Sequence, residues 1–484
     1  MSEHSRDAIE RAFQQARAEL EIRSGFPPEV AAEAEAAARE RNPETSPAHA
    51  DRTDLPLVTI DPPGSRDLDQ AVCCERSADG YRLWYAIADV GFWVDRGSPV
   101  EQEAWKRGVT FYAPDHREPL YPPELSQGAA SLLPDQTTPA VLFAFELDGR
   151  ADLTDWTVER ARVRNQAQLT YRAFLAARGP HGPMLQLLAE IGGKREEREV
   201  ERGGVSLPVR DQHVQQQAAS RLGYQLVYEE PNEAEGWNAQ VSLLTGHAAA
   251  LRMLDAGVGL LRTVAPAEDS AVASFRRTAR ALDFTWPKGA SYPEFIHGID
   301  PEHPHAAVLV WQARRVTGGA SYVPFDGEPP AHTEHAALAF PYAHCTAPLR
   351  RLADRYVLDL LVTLAAGNLP EASEIATLRE LPKVMQEAQR KANRLERQVV
   401  DIAEAWTLRD CIGELFSAIV VGRRGDNVEV QIEEPPVHAT LQGSSVRAEL
   451  GEQVQLRLTE VDVAKGEVQF NISTTVEAPG TPDD

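Results

Sequence analysis

Three carboxylates, Asp61, Asp67 and Asp69, fall within one short segment that runs from Val58 through Pro62, Pro63 and Gly64 to Gln70. Side chains of this type and spacing can bind a hard cation. Oxygen-only ligands suit Mg²⁺, which keeps several waters and leans on substrate phosphates. A solvated acidic turn would have the same spacing, and spacing alone leaves both readings open.

The elements that must position these groups are legible around them. Leu57 to Ile60 is an apolar run that reads as a buried strand ending in Asp61. Pro62, Pro63 and Gly64 then force a turn, because proline fixes φ and glycine tolerates positive φ. Asp67 and Asp69 are two residues apart, so in extended chain they share a face. The turn can fold that face back toward Asp61.

A second constellation lies about 280 residues further on, in Tyr342-Ala-His-Cys-Thr-Ala-Pro-Leu-Arg350-Arg351-Leu-Ala-Asp354. Pro348 fits the first turn of a helix and Thr346 can cap it. Asp354 is then four residues from Arg350 and three from Arg351, close enough to orient one of them. A helix N-terminus with a forked guanidinium suits a phosphate. A structural Arg–Asp helix pair is the competing reading.

The chain has 484 residues, 43% hydrophobic and 25% charged, which predicts two to four globular domains. No stretch approaches the apolar length of a membrane helix, and the first residues lack the apolar core of a secretory signal. Cys73, Cys74, Cys345 and Cys411 are scattered, with no CxxC pair. This argues against zinc and disulfides and for reduced thiols in a cytoplasmic protein. The net charge of −24 argues against a non-specific polyanion binder. Local basic clusters nonetheless occur at Arg160, Arg162 and Arg164, at Arg350, Arg351 and Arg355, and at Arg390, Lys391, Arg394 and Arg397. They could line a basic groove inside an acidic shell, or be solvated.

Periodicity predicts an α+β protein. Residues 1–46 read as two helices, the first with an Ile9, Ala12, Phe13, Ala16, Leu20 stripe and Gly25 as its C-cap, the second opened by Pro27 and Pro28. This pair must dock on the body or form a helix-turn-helix-like module. Residues 47–54 read as a linker and 55–412 as a body of mixed sheet and helices. Strands are expected at 81–90 and 140–147, and helices at 238–255, 349–364 and 378–412. Five short strands over 413–474 fit an OB-type barrel, a fold that often binds single-stranded nucleic acid. Residues 475–484, rich in Pro, Gly and Asp, read as a disordered tail.

In order along the chain, several motifs resemble the catalytic (RNB) domain of the ribonuclease II family. They are Leu57-Val-Thr-Ile-Asp-Pro with Ser65-Arg-Asp-Leu-Asp; Ala86-Ile-Ala-Asp-Val with Val94-Asp-Arg-Gly-Ser; Phe111-Tyr112-Ala-Pro; Leu120-Tyr-Pro-Pro-Glu-Leu-Ser; Leu169-Thr-Tyr171; and Tyr342 to Asp354. The resemblance spans roughly residues 55–405, and the terminal barrel looks like the S1 domain that follows. It implies processive 3′→5′ hydrolysis of RNA to nucleoside 5′-monophosphates with Mg²⁺ or Mn²⁺. By the same resemblance Asp61, Asp67, Asp69 and the residue at Gln70 hold metal, and Asp69 is the most critical aspartate. Arg350 contacts the phosphate, with Arg351 beside it on the RNA. Tyr112 and Tyr171 stack on bases near the 3′ end. Glu396 matches an acidic position near the site; a helical salt bridge with its arginine neighbours is its other reading. The alternative to an enzyme is an RNA-binding regulator with a degenerate nuclease fold.

Two departures carry expectations. Family members usually end the acidic motif in Asp-x-Asp-Asp, whereas this chain has Gln70, whose amide oxygen can ligate Mg²⁺ but is uncharged. A weakened second metal site is expected. Secondly, about 50 helical residues stand where relatives carry two cold-shock domains, so a more open RNA entrance, admitting structured as well as single-stranded 3′ ends, is expected.

Overall fold

The β-prone runs become long strands because they alternate or bury both faces, and the helices supply the cover. A computed structural model describes residues 3–205, 207, 211–216, 223–229, 232–442 and 448–475. Of the tail expected at 475–484, Thr475 belongs to the last strand and residues 476–484 lie outside the described residues. The central sheet contains β1 (Ala50–Asp51), β2 (Val58–Ile60), β3 (Gln70–Arg76), β4 (Gly80–Ala88), β5 (Thr137–Asp148), β6 (Leu153–Arg164) and β7 (Ala167–Leu169), in the order β1-β6-β5-β4-β3-β2-β7. Neighbours are antiparallel from β2 through β6, while β1 on β6 and β7 on β2 are parallel. In the middle, Leu83 pairs with Phe145 and Phe143 with Val158, all buried. Such doubly covered strands read as continuous apolar runs.

The helices that bear on the site and its frame include α1 (Glu3–Glu19), α2 (Pro28–Glu40), α3 (Gly182–Glu201), α4 (Glu233–Ala256), α5 (Leu352–Ala365) and α6 (Ala372–Leu408). α3 packs on β3 and α5 on β6. The apolar stripe of α1 is buried, and it belongs to the same core as the sheet. α1 lies against α6, and Arg17 forks onto Asp115 at 2.6 and 2.8 Å. Of the two alternatives for the N-terminal pair, the chain takes docking on the body. α2 opens on Pro28 at its first position, as expected. Gly25 does not cap α1, which ends at Glu19; it sits in the connection, at φ 64°, and donates its N–H to Glu118.

α6 starts earlier than periodicity suggested, because Glu371 and Glu374 form a reciprocal capping box. The barrel strands β8 (Leu415–Arg424), β9 (Asn427–Ile432), β10 (Val437–Leu441), β11 (Gln453–Asp462) and β12 (Glu467–Thr475) appear where expected, ordered β10-β9-β8-β11-β12. Val420, Val430 and Leu456 lie in a core of the barrel's own. This is the five-stranded OB arrangement.

Candidate active site

One end of the β3–β4 hairpin assembles the acidic cluster. Asp61 ends β2, where its N–H donates to Leu169 O at 3.0 Å. Its Oδ2 is buried without a partner. Burial, with repulsion from Asp67, pushes its carboxyl up to about 6, against the pull of Arg350. Leu68 is the pin of the loop: it is fully buried, its N–H donates to Ser131 Oγ at 2.9 Å, and its carbonyl accepts from Leu132. With Leu68 turned into the core, the flanking aspartates face the other way. Asp67 accepts from Arg117 Nη1 at 2.6 Å and from the Tyr112 hydroxyl at 3.2 Å. Both donors sit opposite each other in a small hairpin, Phe111–Tyr112 against Arg117–Glu118.

Asp69 is only 4% exposed. Its Oδ1 accepts the Leu349 N–H at 2.7 Å and its Oδ2 faces Arg350 Nε at 3.4 Å. Burial pushes this carboxyl up to about 7, against Arg350 and the Leu349 N–H, with Asp67 and Asp354 adding to the rise. Gln70 is held at both ends. Its Nε2 donates to the Thr346 carbonyl and its Oε1 accepts the Tyr85 hydroxyl at 2.8 Å. The expectation that this amide oxygen ligates a metal thus meets a side chain already engaged by protein groups.

Residues 346–351 form a turn before the helix, not its first turns as the sequence suggested. α5 begins at Leu352, with Arg351 at its N-cap. The cause is Asp354, which is fully buried and reaches back to accept the Ala347 N–H at 2.8 Å, the role expected of Thr346. The same carboxylate takes Arg351 in a fork at 2.6 and 2.8 Å. That bidentate pair is the Arg–Asp contact the spacing predicted, and it leaves Arg350 as the exposed arginine of the two, its side chain 48% exposed. The Arg350 carbonyl accepts from Thr110, which ties the turn to the Tyr112 hairpin.

Tyr112 is 50% exposed. Tyr171 opens a short helix capped by Thr170, and its hydroxyl is pushed up by burial first and then by the Asp61 charge, which sets the ring beside that carboxylate. Glu396 is brought elsewhere. It lines a cleft of about 560 Å³ with Trp311, Arg314, Arg397 and His438, where α6 meets the barrel. Arg160, Arg162 and Arg164 alternate along β6 as read, but Arg160 binds Asp89 and Asp359, and Arg162 pairs with Glu44 and Asp51. Sequence reading missed Arg117 and Tyr85. The Pro114-Asp115 turn between Tyr112 and Arg117 is the signal that could have paired the first.

Among the described residues, no three His, Cys, Asp or Glu side chains gather as a ready metal cage. The cluster still fits Mg²⁺ in its usual mode, one or two carboxylates plus water and substrate oxygens. The unpartnered Asp61 Oδ2 and the two carboxyls raised by burial fit the donor set such an ion would use.

Comparison with known proteins matches the RNB domain over residues 49–367 and the RNase II-type exonuclease C-terminal S1 domain over 414–473. Ribonuclease R of Escherichia coli is 25% identical over 502 residues, covering 93% of this chain and 61% of the relative. Ribonuclease R of Aquifex aeolicus is 25% identical over 498 residues, covering 94% and 69%. The chain thus spans about three-fifths of the E. coli relative. Among solved structures, Mycoplasma genitalium RNase R in complex with ribose-methylated single-stranded RNA superposes with a TM-score of 0.85 at 18% identity, covering 96% of this chain and 78% of that one. Yeast Ssd1, a pseudonuclease, gives 0.68 at 17%, covering 87% and 54%. With more than half its length matched to the RNB domain and an RNase II-type S1 domain after it, this chain belongs to the RNB family.

Proposed function

We propose that the chain is a hydrolytic 3′→5′ exoribonuclease that takes RNA by a single-stranded 3′ end and releases nucleoside 5′-monophosphates with Mg²⁺ or Mn²⁺. The observation that carries this is the meeting of Asp69 with Leu349 and Arg350 across 280 residues of sequence, beside Asp61 and Asp67. Asp61, Asp67 and Asp69 would hold the ion. When bound, it supplies charge neutralisation at the phosphate and a lowered pKa for an attacking water.

The chain's own groups do the rest. Arg350 is half exposed and only loosely paired at 3.4 Å, so its guanidinium is free to meet phosphate oxygens as charge develops. Arg351, locked on Asp354, holds the turn that presents it and lends positive charge to the RNA path. Tyr112 offers an exposed ring for stacking, which is sequence-tolerant, and Tyr171, whose hydroxyl feels the Asp61 charge, offers a second ring. RNase R of M. genitalium has been solved with single- and with double-stranded RNA; structured RNA is accordingly part of the proposed substrate range. The buried free thiols of Cys73, Cys74 and Cys345 fit a reducing, cytoplasmic setting. No helix among the described residues is long and apolar enough to cross a membrane.

The test is 5′-labelled oligo(A) incubated with Mg²⁺, with Asp69→Asn as control and matched DNA as competitor substrate. A ladder of shortened RNA, absent with Asp69→Asn and with DNA, supports the reading. Intact RNA that is nonetheless bound supports the second reading, an RNA-binding regulator. That reading draws on Gln70 and on the likeness to a pseudonuclease.

A further inference from the structure

The residue that departs from the acidic motif sits in a chain of hydrogen bonds with one direction. Tyr85 is buried on β4, and its oxygen contacts both Gln70 Oε1 and Ser242 Oγ of α4, each at 2.8 Å. Tyr85 has one proton to give. Because the Thr346 carbonyl can only accept, Gln70 must turn its NH₂ to Thr346 and its oxygen to Tyr85. Tyr85 then donates to Gln70, and Ser242 donates to Tyr85. The order is Ser242 to Tyr85 to Gln70 to Thr346, every group satisfied. An ionised carboxylate at position 70 has no N–H and would set its charge against the Thr346 carbonyl oxygen. An aspartate is also one methylene shorter.

What the chain holds is the turn that carries Arg350. Asp69 grips that turn at the Leu349 N–H and Gln70 grips it at the Thr346 carbonyl, so adjacent residues at the start of β3 fix it at two points three residues apart. We propose that Gln70 is a positioning residue: its amide fixes the 346–350 turn, and through it the placement of Arg350 against Asp69, instead of serving as a metal ligand. The proposal rests on the exoribonuclease reading above. It recasts the departure from four carboxylates as a change of job at one position, with α4 and β4 supplying the partners.

The test compares wild type, Gln70→Glu, Gln70→Asp and Ser242→Ala. It uses kcat and KM on oligo(A), Mn²⁺ binding followed by electron paramagnetic resonance, and thermal unfolding. Gln70→Glu keeps length and loses the donor; kcat is expected to fall about tenfold or more while KM and the Mn²⁺ affinity stay within about twofold. Gln70→Asp is expected to lose kcat in the same way without gaining a bound ion. Ser242→Ala, two hydrogen bonds removed from Gln70, is expected to lower kcat by a smaller factor with Mn²⁺ binding unchanged. Tighter Mn²⁺ binding, an added ion or a higher kcat in Gln70→Asp would overturn the proposal, since position 70 would then be a vacant ligand site. So would unchanged kcat in both Gln70→Glu and Ser242→Ala. If Gln70→Glu does not fold, Ser242→Ala decides alone. Failure of the exoribonuclease reading is seen separately, as wild type without activity or Asp69→Asn with it.

Discussion

Asp69 and Asp89 flank the same end of one hairpin, Asp69 just before β3 and Asp89 just after β4, and both are almost wholly buried. Their surroundings are opposite. Asp89 accepts from His49 Nε2 at 3.0 Å and from Arg160 Nε at 2.8 Å, while Ser46 Oγ shares a hydrogen bond with the other nitrogen of His49 at 2.8 Å. Burial works to raise its carboxyl, but the His49 hydrogen bond and the Arg160 charge outweigh it and hold it below the usual carboxylate range. Asp69 has one backbone N–H and one distant, half-exposed arginine, and burial wins. Equal burial with unequal partnering separates an aspartate that holds the fold from one poised for chemistry.

The largest effect that could break this comparison is on activity. Asp69→Asn should cost several kcal/mol of transition-state stabilisation, about a thousandfold in kcat on oligo(A). Asp89→Asn should leave kcat per folded molecule unchanged. It should cost about 3 kcal/mol of stability in denaturant unfolding, because it strips the charge that pairs a buried His49 and Arg160. Equal losses of activity in the two variants would erase the distinction. Tyr112→Ala removes a half-exposed ring and one 3.2 Å hydrogen bond to Asp67; loss of one stacked base should raise the KM for RNA about tenfold and leave the unfolding midpoint nearly in place. The smallest effect is a difference in sign. The raised carboxyl of Asp69 stabilises the metal-free fold below its unfolded pKa, and that contribution is lost as pH rises toward about 7. Asp89 contributes above its unfolded pKa and loses that contribution as pH falls. Metal-free unfolding should therefore show Asp69→Asn gaining on wild type as pH rises from 4 to 7, whereas the deficit of Asp89→Asn should hold steady over that range and shrink only as pH falls below about 4.

Sequence separated these aspartates poorly. Asp69 stood out by its spacing to Asp61 and Asp67, a local property, whereas Asp89 appeared only as part of a motif. What tells them apart is contact with His49 and Arg160 on one side and with Leu349 and Arg350 on the other, and long-range pairing leaves no trace in local periodicity. Local signals did carry far elsewhere. The strands at 81–90 and 140–147 and all five barrel strands followed from alternation and turns. The Arg351–Asp354 pair followed from a three-residue spacing, even though the helix starts later than Pro348 suggested, because a buried carboxylate reaching back to Ala347 competes with the proline signal. Gln70 read as a flaw while its neighbours were only aspartates; Tyr85 and Ser242, 15 and 172 residues away in sequence, are what give an amide its purpose there.

The packing of α1 against α6 has a consequence for how the chain is made. Phe13 meets the ring of Tyr224 at 5.5 Å, but α1 also packs against α6, whose residues begin at Ala372. At ordinary translation speeds, roughly 20–70 s separate the two helices on the ribosome. During that interval the face of α1 that meets α6 lacks its cover. Newly made chains should therefore be most prone to clump, and most in need of a chaperone, until α6 has left the ribosome.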